Sequence, residues 1–314
     1  MRILILGAGA LGSLIGARLS KTDGHVLLLT TDREHVASIQ QRGLLVEELD
    51  GNTQSYSLAA HDDPSAISDK LDLVIITVKS YDTFAAVNSI ANHCCDSTIF
   101  LTLQNGIGNW ENISQLVGKD SVLVGSTAQG ATMLEPGRIR HGGNGQTFIG
   151  EFDRQPSQRV HQVVGIFQQA KLETHASDEM QKLIWEKLLI NVGINAITSL
   201  TGINNGLVAE LEPARNLSKA AVQEALAIAQ NKGFAIDTKI FDRVVAVAKA
   251  TARNRSSMGQ DVDRKKRTEI DAINGAIVRF GHEMGIPTPV NQTLTRLVRT
   301  LEATYLIEEA HQYE

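Results

Sequence analysis

Along the first half of the chain, short β-branched apolar runs alternate with helical patterns. Residues 3–6, 26–29, 73–78, 98–103 and 122–124 have strand length and are apolar at almost every position, as in strands covered on both faces. Between them, residues 11–20, 35–42 and 81–91 carry the three- and four-residue apolar spacing of amphipathic helices. This alternation predicts an α/β domain with a parallel sheet and helices on its faces. From Thr127 to Glu151 the pattern becomes glycine-rich and alternating, as in Gly137-Arg138-Ile139-Arg140-His141, which predicts antiparallel strands closing that domain. Beyond about Asp178, residues 180–200, 217–232, 240–252, 266–284 and 290–306 all read as helices, with Gly233, Gly285 and Pro287 as stops. The polar stretch 173–177 sets the expected boundary, giving domains 1–176 and 177–314.

Composition narrows the function classes. The chain has 314 residues, 42% apolar and 21% charged, an ordinary globular mixture with room for two cores. A net charge of −5 counts against chain-wide attraction to nucleic acid or an anionic membrane, and neither is expected as a partner. Cys94 and Cys95 are adjacent, offer no disulfide framework or metal-ligand spacing, and read as reduced thiols at the edge of a packed element. No metal is expected. The chain opens on Met1-Arg2-Ile3-Leu4 without a secretory leader pattern, and about 18 uninterrupted apolar residues occur nowhere in it. The expectation is a cytoplasmic protein without a membrane-spanning helix.

The first strand runs into Gly7-Ala8-Gly9-Ala10-Leu11-Gly12, a G-x-G-x-x-G pattern, and then into a helix. The first glycine permits a tight turn, the second lets the backbone approach a pyrophosphate, and the third allows close helix–strand packing. The helix start adds free N–H groups and a positive dipole end. The hexapeptide alone is weak, but its place inside a βαβ unit favours dinucleotide binding over a bare structural turn. The end of the second strand chooses between NAD and NADP, and Leu29-Thr30-Thr31-Asp32-Arg33 offers both answers. With Thr31 at the ribose position, Arg33 reaches a 2′-phosphate; with Asp32 there, NAD is favoured. Both residues also read simply as the start of the next helix. NADP is the expectation and NAD the alternative.

In the second half, Lys187, Asn191 and Asn195 follow i, i+4, i+8 among Leu188, Leu189, Ile190, Val192, Ile194 and Ile197, so they line one side of a largely apolar helix. Buried polar groups are costly unless partnered. They read either as a snorkelling lysine with loop-binding amides or as a pocket wall with a proton donor. Glu269, in a helical pattern beside Ile270 and Ile273, reads as a solvated position unless it meets Lys187 and tunes its pKa.

Taken together, Gly7–Gly12, Val78-Lys79, Gln104-Asn105-Gly106-Ile107-Gly108, Trp185-Glu186-Lys187-Leu188 with Asn191 and Asn195, Ser256-Ser257-Met258, Thr268-Glu269-Ile270-Asp271, Ile273-Asn274-Gly275 and Gly285-Ile286-Pro287-Thr288-Pro289 resemble the ketopantoate reductase family. The motifs occur in the family's order over nearly the whole chain. The resemblance implies a Rossmann dinucleotide-binding domain followed by an all-helical C-terminal domain. It also implies NADPH-dependent reduction of 2-ketopantoate, a small-molecule 2-keto acid, to (R)-pantoate on the route to pantothenate and coenzyme A. It makes Lys187 the general acid and gives Asn191, Asn195, Asn205, Asn254 and Ser257 to the substrate. Asn105 would meet both nicotinamide and substrate, Lys79 and Ala131 would contact the cofactor, and Glu269 would close over it. One departure stands out: many family members carry Arg at the position of Asp32, whereas here Arg33 is displaced by one.

Two other readings compete. One is an NAD-dependent D-2-hydroxyacid dehydrogenase for bulkier 2-keto acids, and the other a non-catalytic dinucleotide sensor. A sensor has no use for a proton donor such as Lys187. A homodimer is the default assembly for symmetric enzymes of this kind.

Overall fold

The computed structural model describes residues 1–312. Contacts divide the chain into two units: Met1–Gln104 with Gly108–Gln181, and Asn105–Ile107 with Lys182–Glu314. The first unit contains, in chain order, β1 (Arg2–Leu6), α1 (Ala10–Leu19), β2 (His25–Leu29), α2 (Arg33–Arg42), β3 (Leu44–Glu47), β4 (Thr53–Tyr56), β5 (Ala59–His61), β6 (Leu73–Ile76), α3 (Thr83–Ser89), β7 (Ile99–Thr102), α4 (Asn109–Val117), β8 (Val122–Thr127), β9 (Gly130–Glu135), β10 (Arg138–Gly143), β11 (Thr147–Gly150), α5 (Gln158–Gln169) and β12 (Thr174–Ala176).

Its main sheet has the order β12-β11-β8-β7-β6-β1-β2-β5 and is parallel except where β11 meets β8. The continuous apolar runs are explained by alternation. Ile3, Ile5, Leu73, Ile75 and Leu101 face one core, while Leu4, Leu6, Val74, Ile76 and Phe100 face another. Each such side chain contributes about 1.5–3 kcal/mol when fully buried, so the register of these central strands is strongly fixed. The chain leaves β1 first toward β2 and later returns to β6 on β1's other side. A topological switch point therefore lies between the carboxyl ends of β1 and β6, where open α/β sheets bind ligands.

A second sheet, β4-β3-β10-β9, differs from expectation. The antiparallel strands expected to close the domain are divided between the two sheets: β11 pairs with β8 in the main sheet, while β9 and β10 pair with each other and join β3 and β4. Strands β3 to β5 are absent from the sequence reading because they are short and half polar. The Asp50-Gly51 turn between β3 and β4, with Gly51 at φ +84°, is the hairpin signal that marks them.

The second unit carries most of α6 (Met180–Thr201), then α7 (Asn205–Glu210), α8 (Glu212–Asn231), α9 (Ile240–Ala250), α10 (Ser257–Asp263), α11 (Asn274–Met284) and α12 (Pro289–Gln312). Contrary to the expectation from uninterrupted apolar length, α6 is long and apolar enough to cross a membrane. Its apolar side chains are instead spent within the helical core, where Leu188, Leu189, Val192, Ile194 and Ile197 are buried. The helix expected over 266–284 is also corrected. Residues 266–273 form an irregular stretch and turns, and α11 begins only at Asn274. The Thr268 N–H donates to Glu302 at 2.7 Å instead of to a helical carbonyl. Cys94 and Cys95 are free thiols, half-buried and exposed respectively.

Candidate active site

The glycine turn is built by close approach. Gly7 has φ +102°, and a Cβ there would lie 2.4 Å from the Val78 nitrogen. A Cβ on Gly12 would lie 2.5 Å from the Gly7 carbonyl oxygen. The loop is tied down by Gly7 and Ala8 N–H groups donating to the Leu29 carbonyl, and by the Thr77 hydroxyl donating to Gly7 at 2.8 Å. Gly9 is the N-cap of α1, has no side chain to occupy the first-turn amides of Ala10, Leu11 and Gly12, and leaves open space where a Cβ would stand. The loop therefore fits a pyrophosphate: a helix start, a backbone that can be approached, and a place at the switch point.

Around it, Lys79 follows β6 and is half-buried. The Gln104 amide donates to the Val78 carbonyl at 2.8 Å and to the Thr83 hydroxyl at 2.7 Å, which fixes the Lys79 loop. The sequence alone assigns Gln104 no such role, because both of its partners lie more than twenty residues away. Ala131 lies in β9 opposite His141 and packs, half-buried, against the core. At the end of β2, Asp32 caps α2, accepting from the His35 N–H at 3.0 Å. Arg33 is 88% exposed in its side chain and pairs with Asp62 at 3.2 Å. Of the readings open for these two residues, Asp32 takes the helix-cap one in this structure, and Arg33 projects into solvent beside a competing carboxylate.

In the helical unit, Lys187, Asn191 and Asn195 line α6. Lys187 and Asn191 are half-buried, and Asn195 is 5% exposed. The amide nitrogens of Asn191 and Asn195 are buried without a hydrogen-bond partner among the described residues, an expensive arrangement that a bound acceptor would relieve. Burial pushes the Lys187 ammonium down to about 8 from the usual 10.5, against the Glu269 carboxylate, which raises it. Glu269 is 6% exposed and sits on a turn held largely by α12. Besides the Thr268–Glu302 bond, Arg299 pairs with Asp271 at 2.7 Å and the Asn274 amide donates to Asn291 at 2.9 Å.

Asn105–Ile107 pack onto the same turn. Ile107 N–H donates to the Ala272 carbonyl at 3.1 Å, and a Cβ on Gly106 would stand 2.6 Å from that oxygen. Near the far end of α6, Ser256 caps α10 and bonds Thr198 at 2.7 Å, which places exposed Ser257 next to that anchor. Asn205 N–H donates to the Asn254 carbonyl at 3.0 Å, while Asn205 Oδ1 is buried without a described partner.

A glycine cradle at a parallel-sheet switch point, with a helical unit carrying a partly desolvated lysine beside a carboxylate, defines a dinucleotide-dependent oxidoreductase. Comparison with known proteins makes the class particular. The family models described as "Ketopantoate reductase PanE/ApbA" and "Ketopantoate reductase PanE/ApbA C terminal" match residues 3–154 and 179–302. A 2-dehydropantoate 2-reductase of Halobacterium salinarum is 39% identical over 95% of this chain and 98% of its own. A ketopantoate reductase of Ralstonia eutropha JMP134 superposes with TM-score 0.89 at 31% identity, covering 98% of this chain and all of the other. A D-mandelate dehydrogenase solved with NADH and anilino(oxo)acetate superposes with TM-score 0.90 at 27% identity, over 97% and 99%. The chain belongs to the ketopantoate reductase family.

Proposed function

We propose that this enzyme reduces 2-dehydropantoate to (R)-pantoate with NADPH, in the synthesis of pantothenate and coenzyme A. The observation that carries the reading is the polar line of α6, where a lysine held near pH 8 stands one and two turns from two unpartnered amide donors. The reduced nicotinamide, when bound, supplies the hydride that adds to C2 of the keto acid. Lys187 Nζ gives its proton to the carbonyl oxygen as negative charge develops there, which leaves a neutral amine and a hydroxyl. A positioned acid of this kind typically contributes about 10²–10⁴-fold. Glu269 opposes the desolvation of Lys187 and so favours its protonated form. Asn191 and Asn195, with Asn205, Asn254 and Ser257, supply amide and hydroxyl groups to the substrate's carboxylate and hydroxyl without adding competing charge.

On the cofactor side, Gly7 to Gly12 hold the pyrophosphate, Lys79, Ala131 and Glu269 contact the cofactor, and Asn105 meets the nicotinamide. Arg33 meets the 2′-phosphate after leaving Asp62. The Arg33–Asp62 pair favours one second reading: an NADH-dependent reductase of a bulkier 2-keto acid, the cofactor also present with the D-mandelate dehydrogenase. No observation favours the sensor. The enzyme is further proposed to be a cytoplasmic homodimer, its assembly readable by light scattering. The deciding assay crosses NADPH and NADH with ketopantoate and a panel of branched and aromatic 2-keto acids, followed at the reduced-nicotinamide absorbance band. The highest kcat/KM is expected for NADPH with ketopantoate; preference for NADH with a bulky keto acid would overturn the reading.

A further inference from the structure

The glycine motif does not include His35, yet its ring lies at 0% exposure between three segments of the first unit. Nδ1 receives the backbone N–H of Gly137, in the turn between β9 and β10, at 2.9 Å. A backbone amide can only donate, so this nitrogen is unprotonated, and the neutral ring carries its proton on Nε2. Nε2 stands 3.0 Å from the Ser13 hydroxyl and donates to it. Ser13, equally buried on α1, donates in turn to the Ala8 carbonyl at 3.1 Å. A directed chain of hydrogen bonds thus runs from the β9–β10 turn through His35 and Ser13 into the centre of the Gly7–Gly12 loop.

Ala8 C=O and Gly9 N–H belong to one rigid peptide plane. Ser13 holds its oxygen, and the Gly7 carbonyl holds its nitrogen at 2.7 Å. We propose that His35, acting through Ser13, is a positioning residue that fixes the Ala8–Gly9 peptide of the cofactor cradle. Without Ser13 that peptide is held through its nitrogen alone, and its carbonyl oxygen can turn toward the pyrophosphate, which repels it. The inference rests on the reading of Gly7 to Gly12 as the cradle. Burial agrees with a neutral ring by lowering the His35 pKa, against the Asp32 carboxylate at the α2 cap, which raises it.

Two conservative variants separate the two ends of the ring. His35→Asn keeps an acceptor for Gly137 but falls short of Ser13. His35→Gln brings an amide donor to Ser13 and gives up Gly137. NADPH and NADH dissociation constants, read by quenching of cofactor fluorescence, are compared with melting temperature and with kcat at saturating cofactor. Ser13→Ala and His35→Asn are expected to weaken both cofactors about three- to tenfold, the scale of one hydrogen bond, with kcat within about twofold of wild type. His35→Gln is expected to keep cofactor affinity even while its melting temperature falls, as it loses the turn contact. Equal affinities in His35→Asn and His35→Gln, or a fall in kcat with affinity unchanged, would overturn the inference. Gly9→Ala separates this from the cradle reading, because its Cβ meets no protein atom within 4 Å and the chain should fold. If Gly9→Ala binds cofactor normally, the cradle reading fails. If it loses affinity while Ser13→Ala and His35→Asn do not, only the relay fails.

Discussion

The proton on Lys187 should set the pH dependence of the reaction. Burial lowers this ammonium to about 8 from 10.5, with Glu269 opposing the shift. At pH 7 a group of pKa about 8 is roughly ten-to-one protonated, and at pH 9 roughly one-to-ten, whereas an ordinary lysine stays charged through both. In the reduction direction kcat/KM should therefore be flat below about pH 8 and fall about tenfold per pH unit above it. Alcohol oxidation, which needs the neutral amine as base, should rise through the same region. Glu269→Gln removes the carboxylate charge and leaves desolvation unopposed, so the limb should move below pH 8 and activity at pH 7 should drop. The measurement is initial-rate reduction at the reduced-nicotinamide band across pH 6 to 10, on wild type, Glu269→Gln and Lys187→Ala. A limb that stays in place in Glu269→Gln refutes the electrostatic coupling. A limb that survives Lys187→Ala refutes the assignment of the acid.

Lys187→Met should cost about 10²–10⁴-fold in kcat while raising the melting temperature at pH 7. The fall from 10.5 to about 8 corresponds to about 3 kcal/mol against the folded state, and calorimetry showing a lower melting temperature would contradict the desolvation. Because the folded pKa lies below the unfolded one, this residue's contribution makes stability rise with pH between about 8 and 10.5; the wild-type-minus-Lys187→Met difference in denaturant unfolding should show that slope. Arg33→Ala should raise KM for NADPH much more than for NADH, and Asp62→Asn should lower it for NADPH by up to about fivefold, the limit set by an exposed ion pair; equal effects on both cofactors mean that Arg33 does not meet the 2′-phosphate. Asn195→Ala should lower kcat/KM about tenfold or more, with thermal stability unchanged or raised because a buried unpartnered amide is removed; loss of stability alone would make it a packing residue.

What could be read from the chain depended on how local its cause was. Strands β1, β6 and β7 were legible because both faces are buried, and nearly every residue of each run is apolar. Strands β3 and β4 were not, because Thr53, Gln54 and Ser55 are exposed and their hairpin joins a larger sheet only through the pairing of β3 with β10, some ninety residues on. The line through Lys187, Asn191 and Asn195 was visible because helical spacing fixes a face. That the amide nitrogens of Asn191 and Asn195 lack a partner among the described residues became visible only once their neighbours were placed. The ribose end resisted reading because Asp32 serves α2 as its cap, a local demand that competes with any ligand role.

Glu269 shows the same rule from the opposite side. Its apolar neighbours follow helical spacing, yet it sits on a turn because Glu302, Arg299 and Asn291 of α12 bind Thr268, Asp271 and Asn274 around it. The Thr268 and Asn274 contacts span 34 and 17 residues, so no local window contains their cause. The consequence reaches the chemistry. A carboxylate on an ordinary exposed helix would interact with a lysine through water and shift its pKa little. Held on a buried turn, it meets Lys187 in a poorly screened setting, where opposite charge offsets part of the desolvation. The net charge of −5 has no bearing on that balance. What offsets part of the Lys187 desolvation is one carboxylate, placed by a helix that contributes no residue to the proposed reaction.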